Sequence, residues 1–452
     1  MAKKPVVGST TTIHNAPKKV YLQSLGCPKN LVDSEIMLGQ LATQGFELTQ
    51  NQKEAEVIIV NTCGFLQSSV KESINTILDL SKEKKSGSCE KLVVTGCLSQ
   101  RYQGELPKEL QEVDLFIGTN DYAEIGRVLS RVPPSREYIH PPLYVHTSDT
   151  PRLLATASHI AYVKIAEGCN HTCSFCIIPK LRGKQRSRAI ADIVAEVKNL
   201  QSMEVKEFNL IAQDTTDYGY DLHDGTNIEK LFTELAKISG DHWFRLMYAY
   251  PLRFSDELID IIASSPNFCR YVDIPFQHIS DRILKSMHRG SNGAYIRRFV
   301  ERIRGKIPDV GIRSTFIVGY PGETETEFQE LAHFLEDAEL ERVGVFTYSH
   351  EEGTEAADLS DQVSEKVKKE RRRILMERQQ EISLKKNRGR LGKKLKVLAD
   401  RPFGSGRAVG RTEWDAPDID GNVELKGKGI TAGNFYEVTV TGATPYTLFA
   451  EI

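Results

Sequence analysis

The sequence predicts an α/β protein in three parts: an N-terminal parallel-sheet domain, a central βα barrel of partial TIM-like form, and a small all-β barrel at the C-terminal end. Three observations predict it. Short apolar runs alternate with segments of helical period twice over, from about 18 to 130 and from about 158 to 360. A proline-rich stretch, RVPPSREYIHPPL from Arg131, separates the two. After Gly389 the period changes to that of strands and turns. A chain of 452 residues also exceeds one ordinary core, so two or three domains are expected.

Each element follows in order. Residues 1–17 are polar and are expected to be a disordered extension. KVYLQSLGC, from Lys19, is an extended run ending at Gly26 and Cys27. NLVDSEIMLGQLATQGF keeps a helical period, with Gly45 as its C-cap. EVIIVNTC and KLVVTGC are further strands, with a helix through SSVKESINTILDLSK between them, and VDLFIGTND is a fourth strand. This first domain is drawn over 18–130 and a linker over 131–157. In the second part AYVKIAEGC, EFNLIAQD, WFRLMYAYP, YVDIPFQH, IRSTFIVGYPGE and RVGVFTYS alternate with helical segments. Six such units, set within 158–384, fit a partial or full βα barrel. SEKVKKERRRILMERQQEISLKKNR (364–388) reads as one long charged helix, whose basic excess suits nucleic acid or a solvated linker equally. KLKVLAD, GRAVGRT and NFYEVTVTGATPYTLFAEI make residues 385–452 an all-β module.

Composition narrows the class. Apolar content of 40% and charged content of 27% describe a globular protein, and a net charge of -2 gives no bulk attraction to nucleic acid or membrane. The first residues carry no apolar signal core, and no run approaches the roughly 18–20 apolar residues of a membrane span. A cytoplasmic location is therefore expected, where clustered thiols point to metal or redox chemistry instead of disulfides.

Two sets of cysteines carry that chemistry. AEGCNHTCSFCIIPKLRG (166–183) places Cys169, Cys173 and Cys176 in a C-x3-C-x2-C spacing. A structural zinc site would need His171 or a distant fourth ligand, and no second ligand pair follows. Three thiolates on one loop after a strand suit a 4Fe–4S cube with one open iron. Cys27, Cys63 and Cys97 each end a strand, 36 and 34 residues apart. Parallel strands end on one edge, where α/β proteins bind ligands, so these three are read as holding a second 4Fe–4S cluster. Cys89 and Cys269 have no such setting and are expected to be ordinary buried cysteines.

The 169–176 loop resembles that of the radical S-adenosylmethionine (SAM) enzymes, with Phe175 just before the third cysteine. The resemblance implies that SAM chelates the open iron, and that its cleavage gives a 5′-deoxyadenosyl radical. It also implies a SAM pocket drawn from Phe175, from Gln213 and Asp214 in IAQDTTDYG, from Pro275 in DIPFQH, and from Gly319 and Gly322 in FIVGYPGETETEF. From about 18 to 452 the order of parts resembles the methylthiotransferase family, whose C-terminal module is a TRAM domain. The family divides by substrate. SLGCPKNLVDSE (24–35), YAYP (248–251) and GRTEWDAPDIDG (410–421) resemble its ribosomal-protein branch, of RimO type. Residues 391–452 hold eight Lys or Arg against eight Asp or Glu, a balance that suits a basic protein better than a phosphate backbone. Asp415, Asp418 and Asp420 are expected to meet cations of that partner or to form a solvated turn.

The resemblance implies methylthiolation of the β-carbon of an aspartate in small-subunit ribosomal protein S-twelve, free or in the subunit. It implies two SAM-dependent steps, two 4Fe–4S clusters and a flavodoxin-type electron donor, and it leaves the sulfur donor and any general base open. Two rivals stand beside it: a tRNA adenosine methylthiotransferase of the same family, and a zinc-containing RNA-binding protein.

Overall fold

Parallel pairing organises both large domains, and the computed structural model describes residues 18–131 and 135–452 of them. The expected disorder of 1–17 lies outside the described residues. The N-terminal sheet holds β1 (Lys19–Ser24), β2 (Glu47–Leu48), β3 (Val57–Thr62), β4 (Lys91–Gly96), β5 (Leu115–Ile117) and β6 (Glu137–Tyr138). Their order is β2-β1-β3-β4-β5-β6, all parallel. β3 is buried at every residue, which is why it reads as the unbroken apolar run VIIV. The Pro28–Thr43 helix behaves differently. Its polar residues Asn30, Asp33, Ser34 and Glu35 are as buried as Val32 and Ile36, because both of its faces are covered. Two-residue strands such as β2 and β6 leave no periodic trace, and β6 lies inside the expected linker. Within that linker Arg152 joins Glu35 of the first domain to Glu196 of the second.

The central domain contains β7 (Ile160–Lys164), β8 (Ala166–Glu167), β9 (Arg186–Ser187), β10 (Glu207–Ile211), β11 (Trp243–Leu246), β12 (Phe268–Asp273), β13 (Gly311–Val318) and β14 (Arg342–Thr347). Six of them form one parallel sheet in the order β14-β13-β12-β11-β10-β7. It is open, so the barrel is partial. β8 and β9 form a separate antiparallel pair beyond the end of β7. Strand residues alternate between two environments. Phe208 and Leu210 pack outward on a core shared with the helices Ile190–Ser202 and Ile228–Ala236. Glu207, Arg245, Tyr271 and Arg313 carry the polar partners, which come from the other face and from the C-terminal module.

The charged stretch is one helix, Glu365–Arg388. It lies along β14 and buries Leu375, Gln379 and Ile382, so it caps an otherwise open sheet edge. Part of its basic excess is spent internally: Arg371 pairs with Glu323 and Arg372 donates to the Val345 carbonyl. The expected boundary at 384/385 falls inside this helix.

The C-terminal module is a closed barrel of β15 (Lys394–Pro402), β16 (Arg407–Thr412), β17 (Asn422–Lys426), β18 (Phe435–Ala443) and β19 (Thr447–Glu451), ordered β15-β16-β17-β19-β18. Its docking corrects one expectation. Asp415 is buried against Arg342, and Asp420 accepts from Tyr271 and Arg313, so neither is free for a partner. A buried carboxylate must be paired, and these two are paired with the central sheet. Asp418 alone of the three is exposed.

Candidate functional site

The C-terminal edge of the N-terminal sheet collects three cysteines. Cys27 is the N-cap of the 28–43 helix, after β1; Cys63 follows β3; Cys97 opens the short helix Cys97–Arg101 after β4. β1, β3 and β4 are neighbours in the sheet, so the three chain ends are neighbours too. The glycines beside them permit close approach. Gly26 sits at φ +92°, and a Cβ there would lie 2.9 Å from the Cys63 Cβ. A Cβ on Gly64 would lie 2.8 Å from the Cys97 carbonyl.

The second triad lies beyond the C-terminal end of β7, the edge at which βα barrels hold their chemistry. Backbone bonds fix its loop at both ends: Cys169 N–H donates to the Gly183 carbonyl and Cys176 N–H to the Cys173 carbonyl. Ser174 bonds the Tyr320 hydroxyl and the Ser286 carbonyl, which ties the loop across the barrel. His171 Nε2 lies 2.6 Å from Asp214 Oδ2, and its ring stacks on Tyr250 at 4.2 Å.

All six cysteines line one cavity of about 350 Å³. None is in a disulfide. Burial pushes the thiols of Cys97, Cys169 and Cys176 up to about 12, and raises that of Cys63. Free thiolates are therefore disfavoured here, and bound metal would supply the missing positive charge. Among the described residues no three His, Cys, Asp or Glu side chains are arranged for a single metal ion. Two sets of three thiols supply the three-cysteine ligation of a four-iron cube, whereas structural zinc takes four protein ligands, so the donor set fits clusters better than zinc. The lining also leaves polar atoms without partners, Gln213 Oε1 and Arg289 Nε, as a polar cofactor pocket requires.

Three cations face this space. Arg182 reaches Asp33 at 2.7 Å and the Cys97 sulfur at 3.3 Å, and also bonds Asn30. Arg289 lies over the Tyr250 ring, 3.6 Å from the Cys173 sulfur, and donates to the Pro275 carbonyl. Lys29 lies over the Tyr248 ring, 3.0 Å from its centroid, and desolvation lowers its ammonium to about 8. Behind them, burial alone would raise Glu167, but Lys164 and Arg182 hold it far below the usual carboxylate range. Tyr248 and Gln277 adopt left-handed backbone, φ +60° and +75°. Each such residue costs about 1–3 kcal/mol, and strain of this kind gathers at functional sites.

The chain matches known proteins along nearly its whole length. Residues 19–118 match the uncharacterized protein family UPF0004, residues 163–335 the radical SAM superfamily and residues 391–452 the TRAM domain. The chain is 47% identical to the ribosomal protein uS12 methylthiotransferase RimO of Geobacter sulfurreducens, over 97% of this chain and 99% of that one. It is 46% identical to the RimO of Geotalea uraniireducens, over 96% and 98%. The chain belongs to the RimO family. The solved structure of the radical SAM methyltransferase TsrM from Kitasatospora setae, 16% identical, shares the fold at a TM-score of 0.53 over 73% of this chain and 72% of that one.

Within this RimO-family cavity the residues expected from sequence divide clearly. The six cysteines, Phe175, Gln213, Asp214 and Pro275 line it. Gly319 and Gly322 do not. A Cβ on Gly319 would strike Lys368, and Gly322 N–H donates to the Asp361 carbonyl. Their positive φ serves a turn under the 365–388 helix, and Tyr320 between them is what reaches the cysteine loop. Lys29, Arg182, Tyr248, Gln277 and Arg289 escaped prediction as site residues. Lys29 and Arg182 sit within the quoted segments CPKN and KLRG, where a cation beside a thiolate ligand was the available signal. Arg289 has no local signal, since only the fold brings it to Cys173.

Proposed function

We propose that this chain is a radical SAM methylthiotransferase that places a methylthio group on the β-carbon of an aspartate in ribosomal protein uS12. One observation carries the reading: both cysteine triads open into the same cavity. Cys169, Cys173 and Cys176 would hold the radical 4Fe–4S cluster, and Cys27, Cys63 and Cys97 an auxiliary one. When bound, these clusters and SAM supply an electron, a hydrogen-abstracting radical and sulfur carrying a methyl group. The chain's own residues do the rest. Arg182 beside Cys97 and Arg289 beside Cys173 offset the negative charge of thiolate ligation at the two ends. Asp214 holds His171, and the pair walls the cavity beside Cys169. Phe65, Phe175, Tyr248 and Tyr250 line it with aromatic surface that limits water. No side-chain base is required, because removing hydrogen as an atom leaves no proton to accept. The reaction draws its electron from a flavodoxin-type donor in the cytoplasm. Among the described residues no helix is long and apolar enough to cross a membrane.

One observation favours tRNA as a second reading. A groove of about 640 Å³ between the 365–388 helix, the C-terminal barrel and the central domain is lined by Arg270, Lys385, Lys386, Arg390, Lys393 and Lys394. A competition assay separates the two. Anaerobically reconstituted enzyme is given SAM, reductant and sulfide with uS12 and unmodified tRNA together, and both are examined by mass spectrometry. A methylthio mass increase on a uS12 aspartate is expected. An increase on tRNA alone would replace the substrate and keep the mechanism.

A further inference from the structure

Of the three cations that face the cavity, Lys29 is the one with neither an ion pair nor a hydrogen bond among the described residues, two positions from Cys27. Arg182 is held by Asp33, Asn30 and Glu167, and Arg289 by the Pro275 carbonyl and the Tyr250 ring. Lys29 lies only on the face of Tyr248. Among the described residues its ammonium has no hydrogen-bond or ion-pair partner. The nearest carboxylates are engaged elsewhere. Asp273 takes Arg313 and the Tyr248 N–H; Glu167 takes Lys164, Arg182 and Gln213.

Its position is also unfavourable on local grounds. Lys29 is in the first turn of the 28–43 helix, and that turn contains no acidic residue. That is the positive end of the helix, where an anion is stabilised and a cation is not. An ammonium without an ion pair at such a point, on the wall of a largely apolar cavity, is placed to receive an anion. The contact also joins two distant segments, CPKN from the auxiliary triad and YAYP after β11.

The proposed reaction specifies which anion enters. The β-carbon of aspartate is bonded directly to its carboxylate carbon. When that β-carbon stands between the radical source and the sulfur source, the carboxylate must stand there too. We propose that Lys29, laid on Tyr248, receives the side-chain carboxylate of the substrate aspartate. Lys29 then selects aspartate over neutral side chains and orients the β-carbon toward the cavity. This inference rests on the reading of uS12 aspartate as substrate.

The test uses cluster-loaded enzyme with SAM, and uS12 whose modified aspartate has been located by mass spectrometry. Binding is compared for uS12 carrying Asp or the isosteric Asn at that position, with wild-type enzyme, K29M and K29R. Wild type should favour Asp by about tenfold or more, as expected for a charge-assisted contact. K29M should bind both forms equally, and K29R should keep most of the preference. Should K29M fail to fold, K29Q serves as the second neutral variant. Full preference for Asp in the neutral variant, or an equal loss of both forms with the preference intact, would overturn the assignment of Lys29. Absence of any uS12 modification by wild type would overturn the substrate reading and this inference together.

Discussion

At the residue scale the two triads are chemically alike and differ in what lies beside them. Cys173 belongs to the loop expected to present SAM, whereas Cys63 belongs to the sheet edge expected to present sulfur. Cys173→Ala should therefore abolish both 5′-deoxyadenosine formation and product. Cys63→Ala should leave 5′-deoxyadenosine formation and abolish methylthiolation, both read by mass spectrometry. Full product from the Cys63 variant would remove the auxiliary cluster from the mechanism. A second residue reports on stability. His146 is buried, and its Nε2 accepts from Arg188 at 3.1 Å, so the ring is held neutral. Burial, opposed by Glu196 and reinforced by Arg188, lowers its pKa to about 4, against an ordinary 6.5. The unfolded chain thus binds this proton at a higher pH than the folded one. The native state keeps the full contribution above about 6.5 and loses it as pH falls through about 4, up to about 3 kcal/mol. His146→Gln should flatten this acid limb in denaturation curves taken from pH 7 to 4. An unchanged limb would show that other groups set it.

At the element scale, glycines and paired charges decide how the parts meet. Gly64→Ala would press a Cβ against the Cys97 backbone and push apart two of the three auxiliary ligands. Its iron content should fall from about eight toward about four per chain, with the radical cluster retained. The buried Arg342–Asp415 pair ties the C-terminal barrel to β14; burial would raise Asp415, but Arg342 together with the Thr412 hydroxyl and Arg390 holds it at about 2. Removing one partner of such a pair costs about 3–5 kcal/mol. Asp415→Asn should expose the connection at 389–393 to limited proteolysis well before the central domain is cut. Much at this scale was legible in the sequence. Apolar runs such as VIIV at 57–60 and strand ends such as LGC, NTC and TGC mark the sheet and its functional edge. What escaped has physical causes. β2, β6 and β9 are two residues long, too short for a period to register. Asp33, Glu35, Asp415 and Asp420 look like surface residues, because a buried ion pair has the composition of an exposed one.

At the scale of the whole molecule, the open face of a half-barrel is closed by the two domains that flank it. Lys164 at the end of β7 pairs with Asp33 of the first domain. Glu207 at the start of β10 pairs with Arg411 of the last. The sheet is therefore covered at opposite ends, and the cysteine cavity forms at the end shared with the N-terminal domain. A relay of contacts crosses between them. Asp420 of the C-terminal barrel meets Arg313, Arg313 meets Asp273, and Asp273 holds the backbone of Tyr248 on which Lys29 lies. Six cysteines separated by up to 149 residues converge because two parallel sheets present their C-terminal edges to one another.

The convergence of two clusters on one cavity is most directly tested by counting iron and sulfide in anaerobically reconstituted protein, with Mössbauer spectra to identify cluster type. The wild-type chain should hold about eight of each as two 4Fe–4S clusters. Replacing Cys27, Cys63 and Cys97 together with alanine should leave about four, and so should replacing Cys169, Cys173 and Cys176. Wild type with about four irons, unchanged when Cys27, Cys63 and Cys97 are removed, would contradict the two-cluster site.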